Sequence, residues 1–485
     1  MSPASAGGRV VAAVDVGTNS VRLLVLRESG DGPSALRREL RLVRLGEGVD
    51  QTGRLAPAAI ERTVAAISEF AGMWEAAGAE AVRITTTSAA RDADNVDDLA
   101  ARVRETTGVR LEVISGEEEG RLAFAGATAG LRDEEPVAVL DIGGGSTEMI
   151  VGTTKPRAWT SRQLGSVRLT ERVLLSDPPT EAEVARAREV IDVELDAILA
   201  ETAPASGARL VAVAGTATTV AALHLGADTY PEGQIHGLVL TTAEVGTIAD
   251  TLLARSAAEI ARAGGVQPGR EDVIAGGALI LHRTMERLGF DEVTISESDS
   301  LDGSAARLLE EQRRAAAAAE ELVEVVERDG SVVDVITRAE MRRRGARHRC
   351  TFIAVVRSSG AVVVHQRAAW KDVSPSRWDL AFGGVCDVGE GWLESATREL
   401  EEEAGVSGVE LTELGQVAFE GEGFAIVGRV YAVLYDGPVS PDDGEVVALD
   451  EIPIEALDQW IATTELVDDS PVVVPPLLVE WWQGR

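Results

Sequence analysis

Asp15-Val16-Gly17-Thr18-Asn19-Ser20 closes the apolar run Val10 to Val14 and opens a second run, Val21 to Leu26. The pattern reads as strand, tight loop, strand. It returns as Asp141-Ile142-Gly143-Gly144-Gly145-Ser146-Thr147-Glu148, set between Val137–Leu140 and Met149–Val151. Two copies of one strand, Asp-x-Gly, loop, strand unit predict a duplicated domain. Glycine lets the backbone approach an anion closely, and turn N–H groups form a concave anion site. Gly17, Thr18, Asn19 and Ser20 in the first loop are therefore candidate phosphate ligands. So are Gly143, Gly144, Gly145, Ser146 and Thr147 in the second. Asp15 and Asp141, at the strand ends, are candidate Mg²⁺ ligands.

Working outward, Pro57 starts a helix running from Ala58 to Ala77, and Glu181 to Ala200 reads as another. Leu210 to Val213 then opens into a helix through Gly215-Thr216, a third glycine junction that adds phosphate donors. Mixed α/β halves around a cleft are expected. Arg313 to Val326 is Ala/Glu-rich and reads as a connecting helix, with Asp329-Gly330 as a turn. Beyond it lie strands (Thr351–Arg357, Ala361–Gln366, Ile426–Leu434) and one clear helix, Leu393–Ala404. No GxxxxGK[ST] loop occurs, which excludes a Walker-type NTPase.

The chain has 485 residues, 45% of them hydrophobic, which supports about three domains and excludes wholesale disorder. With 46 basic against 80 acidic residues, the net charge is −34. Such a field repels polyanions, so neither a nucleic-acid partner nor a membrane surface is expected. An anionic substrate must be held by glycine loops, a few arginines or a metal ion. Two cysteines, Cys350 and Cys386, without CxxC spacing make a disulfide framework or a cysteine-rich zinc site a poor fit. No basic leader and no membrane-length apolar run is present, so a soluble, cytoplasmic protein is expected.

The segment Ile114-Ser115-Gly116-Glu117-Glu118-Glu119-Gly120-Arg121-Leu122 reads first as a helix start: Ser115 and Glu118 have capping-box spacing. Together with the two loops it resembles the exopolyphosphatase/guanosine-pentaphosphate phosphatase (Ppx/GppA) family. Thr87-Ser88-Ala89-Ala90-Arg91-Asp92, Leu164-Gly165-Ser166-Val167-Arg168-Leu169-Thr170-Glu171 and Arg270-Glu271-Asp272-Val273-Ile274 carry the same resemblance, over about residues 9–310. The resemblance implies that Glu119 is the catalytic base and that Arg22 and Arg91 contact phosphate. It also implies that Mg²⁺, or Mn²⁺ in its place, lies near Asp15, Asp141 and Glu148, and that the chain forms a homodimer. Two departures stand out: the helical HD-like extension of long members is absent, and Asp302 precedes Gly303 where many members have Arg-Glu.

In the second half, Gly384-Val385-Cys386-Asp387-Val388-Gly389-Glu390 is followed, after seven residues, by Arg398-Glu399-Leu400-Glu401-Glu402-Glu403-Ala404-Gly405-Val406. Glu399, Glu402 and Glu403 fall at i, i+3 and i+4, so three carboxylates share one helix face. Clustered carboxylates repel unless they hold a hard cation, and Mg²⁺ with diphosphate oxygens is the natural load. Arg398 is placed to hold a carboxylate, and Gly405 to end the helix. These residues fill the Nudix box. Gln366-Arg367, Lys371 and Trp378-Asp379 resemble the branch related to isopentenyl-diphosphate isomerase, but Phe382 stands where that isomerase has its cysteine. Hydrolysis is thus favoured over isomerisation, with Glu402 and Glu403 as catalytic candidates.

The expected fold class is α/β: a duplicated actin-like/RNase H-like (ASKHA) two-domain phosphatase followed by an α+β Nudix fold. Its parts are residues 9–130, 131–310, a helical linker 311–330, and 331–485. The expected activity is Mg²⁺-dependent release of terminal phosphate from polyphosphate or guanosine pentaphosphate, beside hydrolysis of a diphosphate-linked compound. The rivals are an actin-like kinase or ATPase, and a nucleotide sensor whose Nudix module binds without turnover.

Overall fold

The computed structural model describes residues 8–485 except 31, 130–134, 206, 228–230, 232, 264, 369, 372, 422, 442 and 443. β1 (Val10–Val16) is buried along its whole length, which is why its apolar run shows no alternation. It pairs with β2 (Ser20–Arg27) across the first loop, and β3 (Ser34–Leu42) extends the hairpin. β4 (Ala81–Thr86) and β5 (Leu111–Val113) add in parallel on the other side. The order is β3-β2-β1-β4-β5. β6 (Val137–Ile142), β7 (Thr147–Gly152), β8 (Pro156–Arg162), β9 (Arg209–Val213), β10 (Val239–Thr241) and β11 (Glu292–Ile295) form the second sheet, ordered β8-β7-β6-β9-β11-β10. Its first five positions repeat the first sheet, hairpins and parallel strands alike. The loop repeat in the sequence is a repeat of topology.

Helix Pro57–Ala76 begins on its proline and turns Ile60, Val64, Ile67, Phe70 and Trp74 onto the first sheet. Two other helices cross between the halves. Helix Gly116–Thr128 follows the first sheet but packs Phe124 and Ala127 on Val137, Val139 and Ile150 of the second. Helix Ser300–Glu320 follows the second sheet but packs Leu301, Ala305, Leu308 and Leu309 on Val11, Ala13, Leu24 and Leu26 of the first. They meet at two glycines: a Cβ on Gly126 would overlap the Asp299 carbonyl, and one on Gly303 the Leu122 carbonyl. The expected division at 130/131 falls outside the described residues. By packing, residues 116–128 belong with the second half and 301–309 with the first.

The chain divides into two units, Met1–Glu310 and Glu311–Arg485. In the second, β12 (Leu322–Val326) and β13 (Val332–Thr337) form a hairpin followed by helix Arg338–Arg344. Residues 313–326 are thus not one connecting helix, and 311–330 is not a helical linker. The helix ends at Glu320, and Leu322–Val326 is a sheet strand with Val323 and Val326 buried. Its β-branched residues and long-range pairing prevail over the Ala/Glu composition beside them.

β14 (Arg347–Val356) pairs along its length with β18 (Phe424–Leu434), which β17 (Thr412–Gly421) flanks. The other edge of β14 is split: β12 meets it at His348, and β15 (Ala361–Arg367) at Val355 and Val356. Between them Phe382 and Val385 bridge to Ile353 and Cys350, so the glycine pair of the box lies against the middle of β14. β16 (Trp378–Asp379) and β19 (Val446–Pro453) complete the sheet on β15. Helix Trp392–Ala404 packs Ala396, Leu400 and Ala404 on Ile353, Val355 and Phe382, and Gly405 ends it in the left-handed region at φ 64°.

Candidate active sites

In the first unit both loops make the same turn. Gly17 N–H donates to the Ser20 carbonyl at 2.9 Å, and Gly143 N–H to the Ser146 carbonyl at 3.0 Å. The loops face each other: a Cβ on Gly145 would sit 2.7 Å from Ser88 Oγ and 3.1 Å from Thr18 Oγ1. The cavity they enclose is about 100 Å³ and is lined by Asp15, Gly17, Thr18, Asn19, Ser20, Arg22, Glu119, Asp141, Gly143, Gly144, Gly145, Ser146, Gly215 and Thr216. Helix Ala214–His224 opens onto it, with Ala214 held at φ 64° at the strand–helix junction. The Ser88 hydroxyl, also lining the cavity, is buried and has no partner among the described residues.

The two copies differ in one respect that matters. Arg22 stands opposite Asp15 in the first hairpin, whereas Glu148 stands opposite Asp141 in the second. Arg22 pairs with Asp15 at 2.5 Å and with Asp299. Burial drives Asp141 well above its ordinary value, and Asp299 and Glu119 push the same way. Glu148 is raised well by burial, then by Glu119 and Asp141, and accepts from Ser161 Oγ at 2.6 Å. Glu119 is likewise raised by burial, against the pull of Arg91.

In the second unit a cavity of about 470 Å³ runs along the carboxylate helix. Arg398 organises the box: it meets Glu390 through two nitrogens at 3.0 Å each, Glu399 at 3.0 Å and Glu402 at 2.9 Å. A Cβ on Gly384 would lie 2.9 Å from both Glu399 oxygens, so any side chain there would displace the Glu399 carboxylate. Glu403 accepts from Gly383 N–H at 2.9 Å and faces Lys371 Nζ at 3.7 Å. Burial pushes Glu399 up to about 7 and Glu403 up to about 8.

A family model described as the Ppx/GppA phosphatase family matches residues 24–312. The chain belongs to the Ppx/GppA phosphatase family. A NUDIX-domain model matches residues 346–474. Exopolyphosphatase 2 of Mycobacterium tuberculosis is 42% identical over 314 residues, which are 61% of this chain and 98% of that protein. Exopolyphosphatase 1 of Mycobacterium leprae is 32% identical over 341 residues, 68% of this chain and 98% of that one. The crystal structure of the Aquifex aeolicus Ppx/GppA member, 32% identical, superposes with a TM-score of 0.55 over 63% of this chain and 98% of its own. The Ppx/GppA unit has the duplicated actin-like fold of that structure, and the second unit is a Nudix domain.

Three expected residues of the Ppx/GppA cleft sit differently. Thr147 is not a phosphate ligand: it is fully buried, and its hydroxyl donates to the Leu164 carbonyl. Arg91 binds Glu119 at 2.9 Å and the Ile114 carbonyl at 2.8 Å, so it holds the Glu119 carboxylate and does not line the cleft. Glu148 lies behind Asp141 as a buried neighbour, outside the lining. Glu118 departs from its capping role. Ser115 accepts from Glu118 N–H at 3.1 Å, but the Glu118 carboxylate pairs with Arg307 on the crossing helix.

The Arg91 contact has a measurable consequence. Its guanidinium favours the ionised form of Glu119 against burial. Arg91→Ala should raise the Glu119 pKa further. The acid limb of the kcat/KM pH profile for phosphate release should then move to higher pH, because an ionised base is needed and would be lost sooner on acidification.

Arg168 and Arg270 also reach the glycine loops, although only their neighbourhoods were legible. The Arg270 guanidinium lies on Gly215, where any Cβ would collide with it. Arg168, buried, donates through Nε to the Gly145 carbonyl at 2.7 Å and pairs with Asp50 and, at 2.5 Å, with Asp92. It ties the second loop to two acids of the first half. Lysine has one nitrogen and cannot reproduce the three contacts. Arg168→Lys should lower kcat/KM for phosphate release more than about tenfold while the circular dichroism spectrum is kept.

Among the described residues, no three His, Cys, Asp or Glu side chains are already gathered for a metal ion. The donor sets still suit a hard cation. In the Ppx/GppA cleft burial, Asp299, Glu119 and Asp15 all push Asp141 up against the pull of Arg22. In the Nudix domain Glu399 and Glu403 are carboxyls whose burial exceeds what Arg398 and Lys371 offset. His348 and His365 are buried strand histidines; His365 stacks on Phe382 and burial lowers it to about 3.

Proposed function

We propose that the Ppx/GppA unit hydrolyses the terminal phosphoanhydride of inorganic polyphosphate, with guanosine pentaphosphate as the competing substrate class. The observation that carries this reading is the pair of like turns closing on one small cavity with Glu119 in its wall. The loop N–H groups, Ser88 and the N-terminus of helix Ala214–His224 hold the phosphoryl oxygens. Glu119, steadied by Arg91, orients a water and takes its proton as the water oxygen attacks phosphorus and the bridging P–O bond breaks. Arg22 and Arg270 face the charge that develops. Asp15 and Asp141, backed by Glu148, would hold Mg²⁺ or Mn²⁺, which supplies neutralisation of the phosphoryl oxygens when bound.

The Nudix domain is proposed to hydrolyse a diphosphate-linked compound, with Glu399, Glu402 and Glu403 as the cation-holding face. Phosphate release should be measured on short polyphosphate, long polyphosphate and guanosine pentaphosphate, with Mg²⁺ and after chelation. Release that vanishes in chelator is expected. Transfer of phosphate from ATP to an acceptor, without release from polyphosphate, would instead establish the kinase reading. The −34 charge sharpens the expectation for the Ppx/GppA cleft, whose lining sets two basic side chains, Arg22 and Arg270, beside its acids.

A further inference from the structure

Glu324 is the only charged residue of β12, and it is 8% exposed. It lies between the stretches that the two family models match, residues 24–312 and 346–474. A carboxylate at that depth is costly unless its oxygens are met. Both are. Oε1 accepts from Gly389 N–H at 3.0 Å, and Oε2 from Arg349 Nη1 at 2.9 Å. Arg349 is itself held in place, with its guanidinium 4.3 Å from the centre of the Trp392 ring. Through Nη2 it donates to the Glu390 carbonyl at 2.8 Å. One ion pair therefore fastens residues 389 and 390 at both ends, the N–H of the first and the carbonyl of the second.

These two residues close the turn of the Nudix box. Gly389 stands in the left-handed region at φ 77°, and Glu390 N–H donates back to the Asp387 carbonyl at 3.1 Å. The Glu390 side chain then holds Arg398, and Arg398 holds Glu399 and Glu402. Neither Glu324 nor Arg349 lines the cavity, so Glu324 works through its neighbours and touches no ligand there. We propose that Glu324 is a positioning residue of the Nudix site: it clamps the Gly389–Glu390 turn and thereby sets Arg398 and the carboxylates of Glu399 and Glu402. The inference rests on the Nudix reading given above. It gives the β12 hairpin strand a part in the site that the box alone does not contain.

The test is Mn²⁺ binding to the full chain, with the free ion read by electron paramagnetic resonance. It is run at a temperature where circular dichroism shows each variant folded. The sites that Glu402→Gln weakens are the Nudix sites. Glu324→Gln leaves one acceptor for two donors and is expected to weaken the same sites about 10- to 100-fold, the range for removing a partner that stands behind a metal ligand. Arg349→Lys offers one nitrogen to two acceptors, should weaken them as well, and carries the test if Glu324→Gln does not fold. The double variant should lose no more than the worse single, because the two side chains form one clamp. A merely structural ion pair would lower the melting temperature and leave the Mn²⁺ affinity of the folded chain alone. That result, with the Nudix sites still weakened by Glu402→Gln, would overturn the inference and leave the Nudix reading standing. Unchanged affinity in Glu402→Gln as well would overturn the cation-holding face itself, and the inference with it.

Discussion

Glu119→Gln should lower phosphate release from polyphosphate by about 10²–10⁴-fold, the range set by removing a general base. The substitution keeps the shape of the side chain and its oxygen toward Arg91, which also retains the Ile114 carbonyl. On the proposed mechanism it removes what the loops cannot supply, a place for the proton of the attacking water. The groups proposed to hold phosphate are elsewhere, on the two turns, Ser88 and Gly215, so substrate affinity should change far less than turnover. The burial that raises Glu119 also means that the neutral glutamine costs little stability. Single-turnover release and equilibrium binding of the same polyphosphate separate the two effects. Near wild-type turnover would place the base on another residue. Loss of binding in step with turnover would make Glu119 a structural support.

What the chain's order reveals depends on how local the physics is. The turns were legible because Gly17 and Gly143 need only their own loop residues to form, and the hairpins around them follow. Helix ends were legible for the same reason, as at Pro57 and Gly405. The exchange of helices Gly116–Thr128 and Ser300–Glu320 was hidden, because it depends on which sheet each apolar face meets. Gly126 and Gly303 were its only local trace. Site residues divide likewise. Thr147 shares the composition of a phosphate loop, yet it is the first residue of a strand covered on both faces. Arg91 and Arg168 sit in segments that carry the family resemblance, but their work is set by partners 28 and 118 residues away. Asp302 shows the same effect: it binds Arg38 of β3 and accepts from Asp299 N–H, a contact within the crossing region that its neighbours in sequence do not announce.

Glu402→Gln should abolish hydrolysis of diphosphate-linked compounds, by about 10²–10⁴-fold in kcat, and leave polyphosphate hydrolysis at its wild-type rate. Of the three box carboxylates, Glu402 is the exposed one; its side chain is 56% accessible, against 11% for Glu399 and 5% for Glu403. Its structural share is one ion pair to Arg398 at i, i+4, worth a few tenths of a kcal/mol on a surface. Melting temperature should therefore stay within about 2 °C of wild type. Glu403→Gln is the instructive contrast. That carboxyl accepts from Gly383 N–H and faces Lys371, so its loss disturbs the loop as well as the chemistry. A silent Glu402→Gln would mean that the triad does not turn over diphosphates and that the Nudix domain is a binding module. The two cavities share no residue. Reciprocal activity losses in Glu119→Gln and Glu402→Gln, each confined to its own substrate, are therefore the result expected of two independent hydrolases in one chain.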